Sequence, residues 1–454
     1  MYQKYITTLL LLFSVFSYSQ IITFPDENFK NALINHDPVI DTNGNGEIEI
    51  SEAKAAIRIL VFNANISQLT GIEYFINLED LYFAGNNVTD VDLSSFPLLE
   101  KLSCANNNIE NLDVSNNPNL RWFFCGHNEL SQLNLDNNPN LTRLTIGNNY
   151  NIDEIDLQNN NQLELFRANH TNLSSLEISN LNELVTLNID DTFITDIDIS
   201  QNQNLEAFSA EQTPLNEIDF NNNTLLKTVY LSNTNISFLD ISTNINLRYI
   251  NINSTQISNL STEHLTDLQI FIFSNTPFST MNLSNNSQLC FVNGGYSDNL
   301  EYVNLKNENN ELLTGDDSCY VYGVHTSYSF QPDALFWNSN ILKYICVDDI
   351  VFAEQNFEWI PETTMFIDDC SLSVSDNQNL NSLIYPNPVN NILNIEAQEY
   401  ISSIKISNIL GQILIEKKSI SNKEQIDVSS LKKGIYIVTI VIGKTRSSYK
   451  IIKN

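Results

Sequence analysis

The chain has 454 residues, too many for one ordinary compact domain, so it must be built as several domains or as a repeat array. Lys and Arg number 22 against 54 Asp and Glu; between Gln20 and Asn381 only 11 basic residues face 49 acidic ones, whereas from Ser382 onward 10 basic residues face 5 acidic ones. A body this acidic repels nucleic-acid phosphates and anionic membrane surfaces and attracts divalent cations, which argues against nucleic acid as a partner.

Residues 1–19 carry one positive charge at Lys4, an apolar run from Ile6 to Phe16, and the small residues Ser17 and Ser19. This is the pattern of a secretory signal peptide cleaved before Gln20. No later segment approaches the roughly 20 apolar residues of a membrane-spanning helix, so no transmembrane segment is expected.

Residues 20–56 form an N-terminal cap around Asp41-Thr-Asn-Gly-Asn-Gly-Glu-Ile-Glu-Ile-Ser-Glu52. The stretch fits D-x-[DN]-x-[DN]-G-x5-E at every fixed position, and a hard cation needs such a shell of oxygens. Asp41, Asn43 and Asn45 supply side-chain oxygens, Glu47 a backbone carbonyl, Glu49 an oxygen directly or through water, and Glu52 a bidentate carboxylate. The loop resembles an EF-hand, with helices expected over Asp26 to Ile34 and Ser51 to Ile57. A single such loop implies a structural Ca2+ that caps an array.

From residue 57 to 312 a unit of the form L-x-x-L-x-Φ-x-x-N/T-x-Φ-x-x-Φ-D/N-Φ repeats, Φ being apolar. Its first Leu falls at Leu78, Leu99, Leu120 and Leu141, then after one step of 22 at Leu163, then every 21 residues from Leu184 to Leu289. Alternating pairs such as Leu102 and Cys104, or Val229 and Leu231, predict a short strand in each unit with one face inward. Stacked units then share a core that no single unit could bury. The ninth position, Asn86 to Asn149 and then Thr171 to Thr276, is suited to bonding backbone at a tight turn. The array resembles the leucine-rich-repeat family, as in Leu99-Glu-Lys-Leu-Ser-Cys-Ala-Asn-Asn-Asn-Ile-Glu-Asn-Leu-Asp-Val114, and that resemblance implies a solenoid whose strand face binds a macromolecule. The expected fold is mainly β: a leucine-rich-repeat solenoid of about 21-residue units plus a small C-terminal β-sandwich.

Two sets of side chains on the array are candidates for function. Asp92, Asp113, Asn134, Asp156, Glu177, Asp198, Asp219 and Asp240 form a ladder in the Φ-D-Φ element. If that element is a second strand, the carboxylates stack about 5 Å apart, and either cations or bonds to nearby backbone relieve their repulsion. Tyr82, Trp122, Phe124, Arg143, Arg167, Tyr230 and Tyr249 occupy outward strand positions, where exposed aromatics with Arg favour binding of protein or sugar.

Cys104 and Cys125 share one inward repeat position and read as buried thiols, with a bridge between them the alternative. Cys290, Cys319, Cys346 and Cys370 allow three pairings. Residues 313–370 form a C-terminal cap; Tyr344-Ile-Cys-Val-Asp-Asp349 through Trp359 to Cys370 resembles the tail that follows such repeats in exported proteins, which implies a Cys346–Cys370 disulfide. A polar linker follows over 371–381.

Over residues 382–454 short alternating apolar runs, opened by Tyr385-Pro-Asn-Pro-Val389, predict the β-sandwich. With its Gly411-Gln412 turn, Gly434-Ile-Tyr436 strand and terminal basic pair Lys450 and Lys453, this segment resembles the type A C-terminal sorting domain of the type IX secretion system. That implies engagement of the type IX machinery, removal of the domain, and anchoring at the outer surface or release. The five His are scattered and fit no zinc, nucleophile-elbow or phosphate-loop pattern. The sequence therefore reads as a non-enzymatic secreted or cell-surface interaction protein for adhesion or macromolecular ligand binding; the alternative is a polysaccharide-degrading enzyme or a component of such a complex.

Overall fold

The computed structural model describes residues 20–454 except 315–318, 324–325, 331–332, 371–382, 387, 398–399, 409–411, 419–420, 443–444 and 454. The expected signal segment and linker lie outside the described residues. Two compact units are separated at Asp368 and Asp369.

The first unit opens with α1 (Glu27–Ile34), capped by Asp26, whose Oδ1 accepts from the N–H of Asn28 and Phe29 at 2.9 and 3.0 Å. Its Oδ2 accepts from the Ser67 N–H and hydroxyl, both at 2.7 Å, so one carboxylate starts the helix and ties it to the array. Burial alone would raise the Asp26 pKa, but hydrogen bonds from Ser67, Phe29 and Gln68 outweigh it and hold the group below its ordinary value. α2 (Ile50–Ala55) begins at Glu49, in a capping box with Glu52.

The array carries β1 (Arg58–Leu60), β2 (Asp80–Tyr82), β3 (Lys101–Ser103), β4 (Trp122–Phe124), β5 (Arg143–Thr145), β6 (Leu165–Arg167) and β7 (Thr186–Asn188), each three residues long. It continues through β8 (Ala207–Ser209), β9 (Thr228–Tyr230), β10 (Tyr249–Asn251), β11 (Ile270–Ile272), β12 (Thr280–Asn282), β13 (Phe291–Asn293) and β14 (Tyr302–Asn304). After a hairpin of β15 (Cys319–Gly323) and β16 (Thr326–Phe330) come β17 (Asp333–Leu335), β18 (Tyr344–Cys346), α3 (Ile350–Asn356) and β19 (Met365–Ile367). β1 to β11, β13 and β17 make one 13-stranded parallel sheet. Its in-register middle residues, such as Leu102, Phe123, Leu144 and Phe166, are all fully buried and form one continuous core. The outer edge is closed by His36: Leu60 N–H donates to its Nε2 at 2.7 Å, and its Nδ1 lies 2.7 Å from the Pro38 carbonyl. A backbone N–H only donates and a carbonyl only accepts, so Nε2 is the acceptor and Nδ1 the donor of this pair of bonds.

Each turn after a strand of the 13-stranded sheet passes through a left-handed residue, including Asn106, His127, Asn148 and His170. The next side chain anchors it: Asn107 Nδ2 donates to Phe83 O and Cys104 O, and its Oδ1 accepts from Val88 N–H, linking adjacent units. The threonines that follow reach only their own unit, as Thr192 Oγ1 does to Ile189 O at 2.8 Å.

A second asparagine ladder was missed in the sequence: Asn117, Asn138, Asn160, Asn202, Asn223, Asn244 and Asn286, all fully buried. Each donates to two carbonyls of the preceding unit, as Asn223 does to Ile199 O and Asn202 O. Leu181 and Leu265 interrupt it, and there the preceding residue reaches the vacant lone pair: Asn180 Nδ2 donates to Leu157 O, and His264 Nε2 lies 2.9 Å from Ile241 O. His264 is thus a structural donor. His264→Ala and Asn180→Ala are each expected to lower stability by about 1 kcal/mol, the net worth of one such bond, as thermal denaturation would show.

The Φ-D-Φ element is not a second strand through most of the array. At the positions from Asp92 to Asp240 it forms no strand, and a second parallel sheet, ordered β12, β14, β18, β19, begins only at Thr280. In the main sheet the 42-residue step from Phe291 to Asp333 is two repeat lengths. The intervening stretch holds a short 3-10 turn and the β15–β16 hairpin, which lies against β9.

In the second unit β20 (Leu383–Tyr385), β21 (Ile392–Glu396) and β24 (Lys423–Asp427) form one antiparallel sheet. A second contains β22 (Ile401–Asn408), β23 (Ile413–Lys418), β25 (Gly434–Ile442) and β26 (Thr445–Lys453). Leu393, Ile395, Ile404, Ile406, Val438 and Ile440 fill the core, as the alternation predicts for a β-sandwich.

Candidate functional site

The two outward positions of each strand make the strand face, and it has two different halves. Over β1 to β6 it is open. Arg58, Asp80, Lys101, Trp122 and Arg143 lie side by side in register. Asp80, 4% exposed, is held by Arg58 at 2.7 Å and Lys101 at 3.3 Å. The Lys101 ammonium and the Arg143 guanidinium, from the strands on either side, each sit 4.9 Å from the Trp122 ring centroid. Phe124 and Arg167 occupy the other outward row, and Tyr82 packs on Phe62 at 5.9 Å. Among the described residues neither Arg143 nor Arg167 forms an ion pair, and Arg167 Nε is buried without a hydrogen-bond partner. Burial, and secondarily Arg143, lower the Arg167 pKa.

The other half is closed, which corrects the expectation for two candidates. Tyr230 and Tyr249 are 2% and 3% exposed, with ring centroids 4.4 Å apart. They belong to a separate apolar cluster with Ala207, Ile270, Phe291 and Leu335 on the outward side of the sheet. The β15 strand of the hairpin lies against β9, the strand that carries Tyr230. The periodicity gave no sign of this, because a strand position that points outward is read as exposed unless something is known to cover it.

The front loop is held by hydrogen bonds among its own residues. Asp41 accepts from the N–H groups of Gly44, Asn45 and Gly46 at 2.8, 3.2 and 2.9 Å. Asn43 and Asn45 each donate a side-chain amide to Glu49, at 3.0 and 2.7 Å, and Glu52 accepts from Thr42 and from Glu49 N–H. Glu47 turns its side chain to Lys30 at 2.8 Å, away from the other acids. Burial raises the Glu52 pKa, but hydrogen bonding by Glu49 and Thr42 outweighs this and brings it down to about 2. The loop is clamped by Gln20–Ile22: Ile22 N–H donates to Ile48 O and Ile50 N–H to Gln20 O, both at 2.9 Å. Among the described residues no group of three or more His, Cys, Asp or Glu alone could hold a metal. The donor set here mixes carboxylates, amides and a backbone carbonyl. Asp41, Glu49 and Glu52 are each 7% exposed, and among the described residues no cationic side chain pairs with them; carboxylates and amide oxygens are the ligand types a hard cation takes.

The acidic ladder has a structural account. Asp92, Asp113, Asp156, Asp198, Asp219 and Asp240 each accept from the N–H two residues on, at 2.8 to 3.0 Å, and Asn134 and Glu177 do the same. Such bonds hold Asp92, Asp113, Glu177 and Asp198 below their usual pKa. Cys104 and Cys125 are free, buried thiols, Cys104 pushed up to about 12 by burial. Cys290, Cys346 and Cys370 are disulfide-bonded.

Comparison with known proteins defines the two units separately. Residues 383–454 match the family model described as the secretion system C-terminal sorting domain, so the chain carries a type IX sorting tail and is a secreted or cell-surface protein. The solenoid is similar in fold to an internalin of Listeria monocytogenes, at TM-score 0.58 and 21% identity, covering 77% of this chain and 93% of that one. It is also similar to the functional domain of InlJ from Listeria monocytogenes, which includes a cysteine ladder, at TM-score 0.52 and 18% identity over 95% and 97% of the chains. A leucine-rich-repeat protein of Leptospira interrogans matches at TM-score 0.50 and 15% identity, over 66% and 76%. The first unit is therefore a leucine-rich-repeat solenoid. Among curated proteins, Beta-agarase D of Zobellia galactanivorans is 44% identical over 57 residues, 13% of this chain; the match spans only 11% of that enzyme's length. No helix among the described residues is long and apolar enough to cross a membrane.

Proposed function

We propose that this is an exported, non-enzymatic recognition protein: the solenoid binds a macromolecular ligand on the open half of its strand face, a Ca2+ in the Asp41–Glu52 loop stiffens the front cap, and the C-terminal unit engages the type IX machinery. The observation that carries the recognition role is the pair Arg143 and Arg167. In a body with 49 acidic and 11 basic residues, two arginines on adjacent strands have no carboxylate partner among the described residues. Unpaired guanidinium groups beside Trp122 and Phe124 on a rigid sheet have the composition of binding hot spots. The similarity to internalins supports the same reading by analogy of fold.

The test is binding of the chain from Gln20 onward to a panel of glycans, matrix proteins and whole cells, with and without a calcium chelator. Saturable binding weakened by Arg143→Ala is the expected result. Binding that ignores Arg143 and Arg167, or turnover of a glycan by the protein, would contradict it.

A further inference from the structure

We propose that the open half of the strand face is a subsite for a linear acidic polysaccharide, whose carboxylate or sulfate groups are taken by Lys101, Arg143 and Arg167. This rests on reading the strand face as the recognition surface. Trp122 decides the chemistry. Lys101 and Arg143 from the flanking strands both lie over its ring at 4.9 Å, so the ring holds two cations in place and offers little free face for stacking a neutral sugar. Holding long basic side chains extended reduces the entropy lost when an anion binds. Arg167 brings a guanidinium whose Nε is buried and unpartnered, and a guanidinium presents a planar fork that suits carboxylate or sulfate.

The shape of the open strip selects a linear polymer. From β2 to β6 it is five strands long, about 20–24 Å at the usual strand spacing, and two side-chain rows, roughly 7 Å, wide. The hairpin closes the sheet beyond it. A globular protein partner commonly needs about 800 Å² on each side, several times this strip. Extended peptides dock on sheet edges or in grooves, whereas every strand of the strip is paired on both sides. Nucleic acid carries a charge about every 1.7 Å as a duplex, or about every 3.4 Å as a single strand, and meets the repulsion of the acidic body. A polysaccharide with sparse charges meets three local cations, while the rest of the body is screened beyond about 8 Å.

The test uses the full chain from Gln20, titrated with alginate, dextran sulfate, uncharged dextran, polyglutamate and single-stranded DNA. Alginate or dextran sulfate should bind and dextran should not, the stronger of the two identifying the anionic group. Arg143→Ala and Arg167→Ala should each weaken binding about tenfold with unchanged melting temperature, Arg167→Lys should restore only part of it, and Arg248→Ala, off the strip, should change nothing. Equal or tighter binding of polyglutamate or DNA, or indifference to both arginine changes, overturns the proposal. If no acidic polysaccharide binds but a protein from the wider panel does, and Arg143→Ala weakens that binding, the polysaccharide inference fails and the strand-face reading survives. If the protein partner ignores Arg143 as well, both fail.

Discussion

Removing calcium is expected to lower the stability of the solenoid unit by about 2–3 kcal/mol when the free ion stands near a hundredfold above its dissociation constant, and Glu52→Gln should abolish that dependence. The loop carries three carboxylates that are each 7% exposed, and among the described residues the lysine paired at the loop, Lys30, bonds Glu47 instead. Glu52 is the residue whose two oxygens a calcium ion would share, and its loss leaves the ion with too few strong ligands. The same carboxylate gives a pH signature in the absence of metal. Its folded pKa, about 2, lies below the ordinary 4.5, so its contribution is complete above about 4.5 and is lost as pH falls towards 2. Thermal melts with calcium or chelator, repeated across this pH window for the chain and for Glu52→Gln, would read both effects. A melting temperature indifferent to chelator would remove calcium from the account.

Tyr249→Arg is expected to destabilise the solenoid by about 3–5 kcal/mol, because it places an unpaired charge in a buried apolar cluster. Thr145→Arg, an outward residue on the open half, should change stability by less than about 0.5 kcal/mol. By repeat position alone Tyr249 is equivalent to Arg143, so equal tolerance would be anticipated for an array open along its whole length. The difference is that Tyr249 sits in the outer apolar cluster with Tyr230, Ile270, Phe291 and Leu335, where β15 lies against β9, whereas Arg143 is exposed. Denaturant melts of the two variants check this; similar midpoints would mean that the outer cluster is accessible.

What the sequence disclosed and what it hid follow from range. The period from Leu78 to Leu289 is a local signal repeated many times, and it fixed the sheet, the core and the turn ladders of Asn107 and Thr192. Asn117 and its successors had an equally regular offset, three residues before the first Leu of each unit. They escaped notice because polar Asn at a turn is ordinary, and their full burial appears only once units are stacked. His36 gave no periodic signal at all; its bond to Leu60 N–H joins the cap to the edge of the first strand across 24 positions. On the strand face, Tyr82, Trp122, Phe124, Arg143 and Arg167 were found by their outward phase, and Tyr230 and Tyr249 shared that phase. They are buried in an outer apolar cluster that joins residues as far apart in sequence as Ala207 and Leu335, a long-range event with no local mark.

Export through the C-terminal unit is tested most directly by expressing the chain, with and without residues 383–454, in a bacterium with an active type IX system and measuring both proteins in the medium and on the cell surface. The full chain should appear outside, beginning at Gln20 and shortened by the mass of the sorting domain, while the truncated chain stays in the periplasm. Equal export of the two would contradict the role assigned to that unit.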